Sequence, residues 1–198
     1  VYKRQFTKGV NVDEFVVDNK MPSATGKGYI SYISNCDPAL DVNNKIARAN
    51  TAGEPYITGG WPGDWWLFTI PEMTIKAGTV INAKFHARAS GTGMKYWMLE
   101  YYDGGEWKPG APLQTTTVGE GDQAQTFSYN YEMMNTDHCL IDRNMTFEHA
   151  INNGDILIRL RCMANWQASG KGALAAPNGG THRISVQNNI NPTISIVQ

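Results

Sequence analysis

Val80-Ile81-Asn82-Ala83-Lys84-Phe85-His86-Ala87-Arg88-Ala89 alternates residue by residue. In an extended chain Ile81, Ala83, Phe85, Ala87 and Ala89 share one face, and Asn82, Lys84, His86 and Arg88 share the other. A period of two predicts a β-strand with one dry face and one wet face. Lys95 to Tyr102 continues the pattern with large apolar groups on both faces, Tyr96, Met98 and Tyr102 against Trp97, Leu99 and Tyr101. Gly91-Thr92-Gly93 between these two segments reads as a hairpin turn, and Asp103-Gly104-Gly105 reads as a second one, into Glu106 to Lys108.

The same reading extends in both directions. Gln125 to Glu132 sets Phe127, Tyr129 and Tyr131 against Thr126, Ser128 and Asn130. Ile156 to Met163 sets Ile156, Ile158 and Leu160 against Leu157, Arg159 and Arg161. Arg183 to Gln187 and Thr193 to Val197 are closing strands, and Tyr29 to Ser34, Lys45 to Ala49 and Trp65 to Ile70 are earlier ones. Met145 to Ile151 fits either a strand or a helical turn. Ile and Val together number 25 against 8 Leu, with 17 Asn, 16 Thr and 20 Gly. β-branched residues suit a pleated surface, and Asn and Gly supply turns. Nine or ten short antiparallel strands predict an all-β antiparallel β-sandwich or jelly roll. At 198 residues the chain is expected to form a single domain over 1–198, with 1–27 as an N-terminal strand or linker extension ending in the loop Met21-Pro22-Ser23-Ala24-Thr25-Gly26.

Several function classes are disfavoured. Lys and Arg total 17 and Asp and Glu 18, so no basic excess favours nucleic acid or a polybasic membrane anchor. Mean hydropathy is −0.39, and no apolar run approaches the length of a bilayer span, so direct membrane insertion is not expected. The sequence contains no G-x-S-x-G elbow, P-loop or H-E-x-x-H pair, and His86, His138, His149 and His182 are scattered. Cys36, Cys139 and Cys162 show no zinc spacing and read as small buried apolar residues. A Cys139–Cys162 bridge is open if their strands are neighbours. A non-enzyme is therefore expected.

Aromatic residues are the strongest feature. Trp61-Pro62-Gly63-Asp64-Trp65-Trp66 places three Trp around a Pro-Gly turn. Trp65 and Trp66 are adjacent, so on a strand one serves the core and the other must lie on the outer face or under a loop. Trp107 follows Gly104-Gly105, and Trp166 follows a strand end. Loop tryptophans are costly to leave wet unless covered or used. The C–H face of a pyranose stacks on such rings, and polar groups at the edge read its hydroxyls. Trp61, Trp107 and Trp166 are the candidate platforms, with Asp64, Asp103, Glu106 and Asn165 as hydrogen-bonding partners; the competing reading is that these rings plug the ends of the sandwich and Asp103 serves its turn. Glu100 and Glu106, facing across a hairpin, would be the carboxylates of a glycosidase. Calcium is the one cofactor the loops invite, through Asp37, Asp41, Asn43 and Asn44 or through Asp137 and Asp142, although no EF-hand loop is present and the metal ligands stay unassigned.

Pro62-Gly63-Asp64-Trp65-Trp66-Leu67-Phe68-Thr69-Ile70-Pro71, Ala77-Gly78-Thr79-Val80, Lys95 to Tyr101 and Asp103-Gly104-Gly105-Glu106-Trp107 resemble galactose-binding-like jelly-roll domains of secreted and cell-surface proteins of gut Bacteroidetes. Asn153 to Arg161 resembles the penultimate long strand of that family, and Arg183-Ile184-Ser185 and Thr193 to Ile196 its final strands. The resemblance spans roughly residues 45–198. It implies an extracellular or surface-attached module that binds oligosaccharide or polysaccharide, beside an attached catalytic or other surface module. A structural or protein-interaction β-sandwich with no glycan ligand is the alternative it leaves open, and a small glycoside-active enzyme is a third.

Overall fold

The computed structural model describes residues 3–5, 20–33, 55–58, 60–173, 180–185, 187–188 and 190–197. Its elements are β1 (Lys3–Gln5), β2 (Lys20–Pro22), β3 (Tyr29–Ile33), β4 (Tyr56–Thr58), β5 (Trp65–Ile75), β6 (Thr79–Ala89), β7 (Tyr96–Asp103), β8 (Glu106–Pro109), β9 (Gln114–Val118), β10 (Gln125–Tyr129), β11 (Tyr131–Glu132), β12 (Cys139–Phe147), β13 (Ile151–Cys162), β14 (Thr181–Ser185) and β15 (Thr193–Ile196). The 3-10 turn Gly121–Gln123 joins β9 to β10.

Two antiparallel sheets form the sandwich. In the first, β6 is the hub. Its one edge pairs with β12 from Thr79 to Ala87; its other edge is shared end to end by β15 and β14. β1 extends the sheet beyond β15, and β4 extends it beyond β14. The second sheet runs β7-β13-β5-β3-β2, and the free edge of β7 is shared by β11 and β8. Strands distant in sequence thus lie side by side, as in a jelly roll.

The alternation in β6 explains the core. Ala83, Ala87 and Ala89 are small and buried, which leaves room between the sheets for Trp66, Phe68 and Trp97 from the facing sheet. Phe68 meets Phe85 at 4.7 Å and Tyr101 meets Phe147 at 5.0 Å between ring centroids, so both sheets contribute to one core. β5 passes through Pro71, which cannot donate to the ladder. The pairing with β13 shifts there, at Glu72 (φ 57°) and opposite Asn153 (φ 51°).

One expectation needs correction, and two alternatives left open by the sequence are decided. Gly91-Thr92-Gly93 does not close a hairpin: β6 and β7 belong to different sheets, and the segment crosses between them. Ser90 N–H donates to Thr181 O and Ala168 N–H to Gly93 O, and a Cβ on Gly93 would meet Thr181 O at 2.5 Å. Gly93 N–H does close a turn on Ser90 O at 2.8 Å, and the close approach of Thr181 is what requires glycine there. Cys139 and Cys162 lie on β12 and β13, in opposite sheets, and no bridge joins them; Cys162 Sγ–H donates to Ala164 O at 3.6 Å. Burial pushes the Cys139 thiol up to about 11. Met145 falls within β12, a strand ending at Phe147. The strand expected at Lys45 to Ala49, with Cys36, Asp37, Asp41, Asn43 and Asn44, lies outside the described residues. Within the expected N-terminal extension, β1 pairs in one sheet and β2 in the other.

Candidate functional site

Register decides which side chains share the outer face of the second sheet. One row across it is Tyr29, Thr69, Leu157, Tyr102 and Trp107; the next is Ser31, Leu67, Arg159, Glu100 and Pro109; the third is Ile33, Trp65, Arg161 and Met98. Their neighbours on each strand, such as Trp66, Leu160 and Leu99, point into the core. Of the adjacent pair Trp65-Trp66, Trp66 is therefore the core ring and Trp65 the outer one.

The centre of this face is a charged, aromatic cluster. Arg159 Nε donates to Glu100 Oε2 at 2.7 Å, and Arg161 donates through Nε to Oε2 at 2.9 Å and through Nη2 to Oε1 at 3.1 Å. Burial alone would raise the Glu100 carboxyl, but the hydrogen bonds from Arg161 and then Arg159 outweigh it and hold the group below the usual carboxylate range. The Arg159 guanidinium lies 4.0 Å from the Trp107 ring centroid and 5.3 Å from that of Trp65. Tyr102 sits 5.3 Å from Trp107 between centroids. Lys20 lies over Tyr29 at 4.9 Å.

The β9–β10 hairpin packs across one end of the same face. Tyr96 meets Phe127 at 5.1 Å and Tyr129 at 4.8 Å, and Trp166 and Met163 pack against this second apolar cluster. Lys95 and Glu132 pair beside it at 3.0 Å. Burial and the carboxylate of Glu132 push the Tyr129 hydroxyl up to about 12.

The candidate residues disperse over this framework. Trp107 stands on the outer face. Trp166 is half-buried against the second cluster, with Asn165 next to it. Glu106 is exposed at the tip of the β7–β8 hairpin, in register with Asp103. Trp61 is half-buried against the main core.

Asp64 and Asp103, expected as hydrogen-bonding partners of a ligand, are instead engaged by donors inside the chain. Asp64 is fully buried. Its Oδ2 accepts from Trp61 N–H at 2.8 Å and Tyr32 Oη at 3.1 Å. Behind it the Trp66 indole donates to His182 Nδ1 at 2.9 Å, which leaves the imidazole proton on Nε2, 3.3 Å from Tyr32 Oη. Trp66, His182, Tyr32 and Asp64 thus form one internal chain of hydrogen bonds. A Cβ on Gly60 would meet Tyr32 Oη at 2.8 Å and His182 Nε2 at 2.9 Å, so glycine closes the chain's end.

Asp103 is also buried. It accepts from Lys108 Nζ and from the backbone N–H groups of Glu148 and His149, at 3.0 to 3.1 Å. Burial would raise its carboxyl; these donors, Lys108 first, overcome that and lower it. Both aspartates are held from inside, their oxygens taken up by donors of the chain itself.

Glu100 and Glu106 do not face each other. Glu100 shares the outer face with Pro109, whereas Glu106 pairs with Asp103 on the opposite side of the hairpin. The two-carboxylate arrangement of a glycosidase is not formed by this pair. Asp142 is engaged with Lys84 at 2.7 Å and with Asn82. Among the described residues no three His, Cys, Asp or Glu side chains converge as metal ligands.

Trp65, Arg159, Arg161 and Glu100 were the residues that motif reading did not bring together. The available signal was two alternate arginines on a long strand, combined with a lone glutamate amid the aromatic strand Tyr96 to Asp103.

Neither a family model nor a curated protein matches the sequence. Among solved structures, the chain is similar to a CBM4 structure at 13% identity and a TM-score of 0.46, covering 85% of this chain and 86% of that one. It is similar to the CBM22-2 xylan-binding domain of Paenibacillus barcinonensis Xyn10C at 10% identity and a TM-score of 0.42, covering 99% of each chain. It is also similar to the K3 adhesin domain of Lys-gingipain from Porphyromonas gingivalis w83 at 9% identity and a TM-score of 0.34, covering 96% of this chain and 99% of that one.

Proposed function

We propose that this β-sandwich is a non-catalytic carbohydrate-binding module of an extracellular or cell-surface protein, with its ligand lying across the outer face of the β7-β13-β5-β3 sheet. The observation that carries the reading is the Trp65–Arg159–Trp107 arrangement, with Arg159 fixed in turn by Glu100. Half-buried indoles on a sheet face offer flat apolar area for the C–H face of a sugar ring. Guanidinium N–H groups beside them are suited to hydroxyl and other oxygen acceptors. Because the groups stand on paired strands and are held by hydrogen bonds, little ordering is needed on binding. This moves the stacking platform from loop tryptophans to the sheet: Trp107 stays in the proposal, Trp65 joins it, and Trp61 has its main contact with the core.

An attached partner module would raise the effective concentration of such a site, since a single shallow face binds weakly. A glycan array tests the reading, with Trp107→Ala and Trp65→Ala compared to the parent chain. The expected result is reproducible binding that each variant weakens at least tenfold, with Trp107→Ala keeping a cooperative melt. A blank array from a cooperatively folded protein would sink the proposal and leave a structural or protein-interaction module. A chelator arm on the same array tests the calcium expectation, which predicts binding or melting temperature lowered by chelation.

A further inference from the structure

We infer that the glycan held on this face is acidic, with a uronate carboxylate taken by the outward N–H groups of Arg161 and Arg159. The inference rests on the carbohydrate-binding reading and adds the chemical class of the ligand.

Charge at the cluster is its first support. Two guanidinium groups share one carboxylate, and both oxygens of Glu100 are already engaged. No other ion pair involves either arginine among the described residues. One positive charge is therefore left with only indole faces and no counter-charge, at a place only partly open to water: the side chains of Arg159 and Arg161 are 12% and 29% exposed. Leaving a half-buried cation unmatched is unfavourable, and an incoming anion removes that cost.

Donor geometry is the second support. A guanidinium carries five N–H donors and no acceptor. Arg161 spends its Nε and one Nη2 donor on Glu100, and Arg159 spends its Nε. The remaining terminal N–H groups have no hydrogen-bond partner among the described residues, and they form the planar fork that matches a carboxylate through two parallel bonds.

The neighbours are the third. Arg161 is in the same row as Trp65, and Arg159 lies against Trp107. A uronic acid supplies a pyranose C–H face and a carboxylate within one residue, so it can meet an indole and a guanidinium together. A neutral hexose would satisfy the ring and leave the charge. The chain as a whole has a net charge of −1, so the attraction is local to this face and does not reflect a basic protein.

The test is affinity electrophoresis and calorimetry against polygalacturonate, alginate and glucuronan, each beside its carboxyl-reduced neutral counterpart, with dextran sulfate and neutral xylan as further arms. At least one polyuronate is expected to bind ten or more times tighter than its reduced form. Arg161→Gln is expected to remove that preference while Glu100 keeps its bond to Arg159. Arg161→Lys, which keeps the charge and loses the fork, is expected to weaken polyuronate binding at least threefold. Melting curves accompany both variants; if the glutamine variant unfolds, the lysine variant decides.

Equal binding of a polyuronate and its reduced form would overturn the inference and leave the carbohydrate reading standing. Dextran sulfate bound as tightly as the best polyuronate would overturn it as well, because plain polyanion attraction would then suffice. Binding of none of these polymers, together with a blank glycan array, would remove both readings.

Discussion

Glu100, Asp103 and Asp64 are three carboxylates within or beside strands, all buried, and each survives burial by a different set of donors. Glu100 takes side-chain donors from two arginines, Asp103 takes a lysine and two backbone N–H groups, and Asp64 takes a backbone N–H and a tyrosine hydroxyl. For Glu100 and Asp103 the folded carboxyl sits below its unfolded value. Each therefore contributes stability that is fully present above the unfolded pKa near 4, and that is lost as pH falls through the lower folded value. Glu100→Gln leaves two half-buried guanidinium groups facing an amide. The variant is expected to be about 3 kcal/mol less stable than the parent at pH 7 by denaturant unfolding. The gap should narrow toward pH 3, because the unfolded parent takes up a proton at Glu100 that the folded state resists. A gap that stays constant from pH 7 to pH 3 would show that Glu100 is not stabilised as the anion.

Among the elements, the β7–β8 hairpin ties residue chemistry to the proposed binding face. Gly104 (φ 63°) and Gly105 (φ 93°) are its two loop residues, both in the left-handed region that a tight hairpin requires. The two positions differ in surroundings. A Cβ at Gly104 would run into the His149 ring at 2.3 Å, whereas Gly105 has open space. Gly105→Asn is expected to cost less than about 1 kcal/mol and to leave glycan binding within error of the parent, because Asn bears positive φ better than other side chains and the space is open. Gly104→Ala is expected to cost about 1–2 kcal/mol and to weaken glycan binding by moving β8 and Trp107; thermal melts and calorimetry check both. Equal behaviour of the two variants would mean that the turn does not position Trp107.

This element scale also shows what was legible in the sequence. Strands with strict alternation, such as β6 and the paired face of β13, could be read directly, because burial on one side writes a period of two. β9 was missed: Gln114-Thr115-Thr116-Thr117-Val118 has no alternation, and its strand character comes from cross-strand hydroxyl contacts such as Thr117 with Thr126. Gly91-Thr92-Gly93 was misread because a sheet-to-sheet crossover and a hairpin use the same residues, and only distant partners such as Thr181 tell them apart. The proposed binding face was the least legible part. Glu100 and Arg159 meet only through the β7–β13 register, and nothing local to either residue specifies that register. Asp64 and Asp103 were visible as polar residues at turns, but whether a carboxylate at a turn points inward or outward depends on donors elsewhere in the chain.

Taken whole, the molecule has one principal core fed by both sheets, running from Ile30 on β3 to Ile194 on β15. Neither sheet could retain its buried face without the other. Calorimetry is expected to show a single transition with calorimetric and van't Hoff enthalpies in agreement. Two resolved transitions would show that the sheets, or the segment bearing the β9–β10 cluster, unfold as separate units.

The pairing of β1 with β15 has a mechanical consequence. Lys3 lies opposite Ser195 and Gln5 opposite Thr193, so the strand nearest each end of the chain runs antiparallel to the other. A pull on the two ends loads this short ladder like a zipper, one rung after another, instead of shearing all its rungs at once. A force applied across these two ends would peel β1 away under low tension. The hub strand β6 and the sheet carrying Trp107 lie beyond that ladder, so the outer face around Trp107 would outlast the first slack released at the ends.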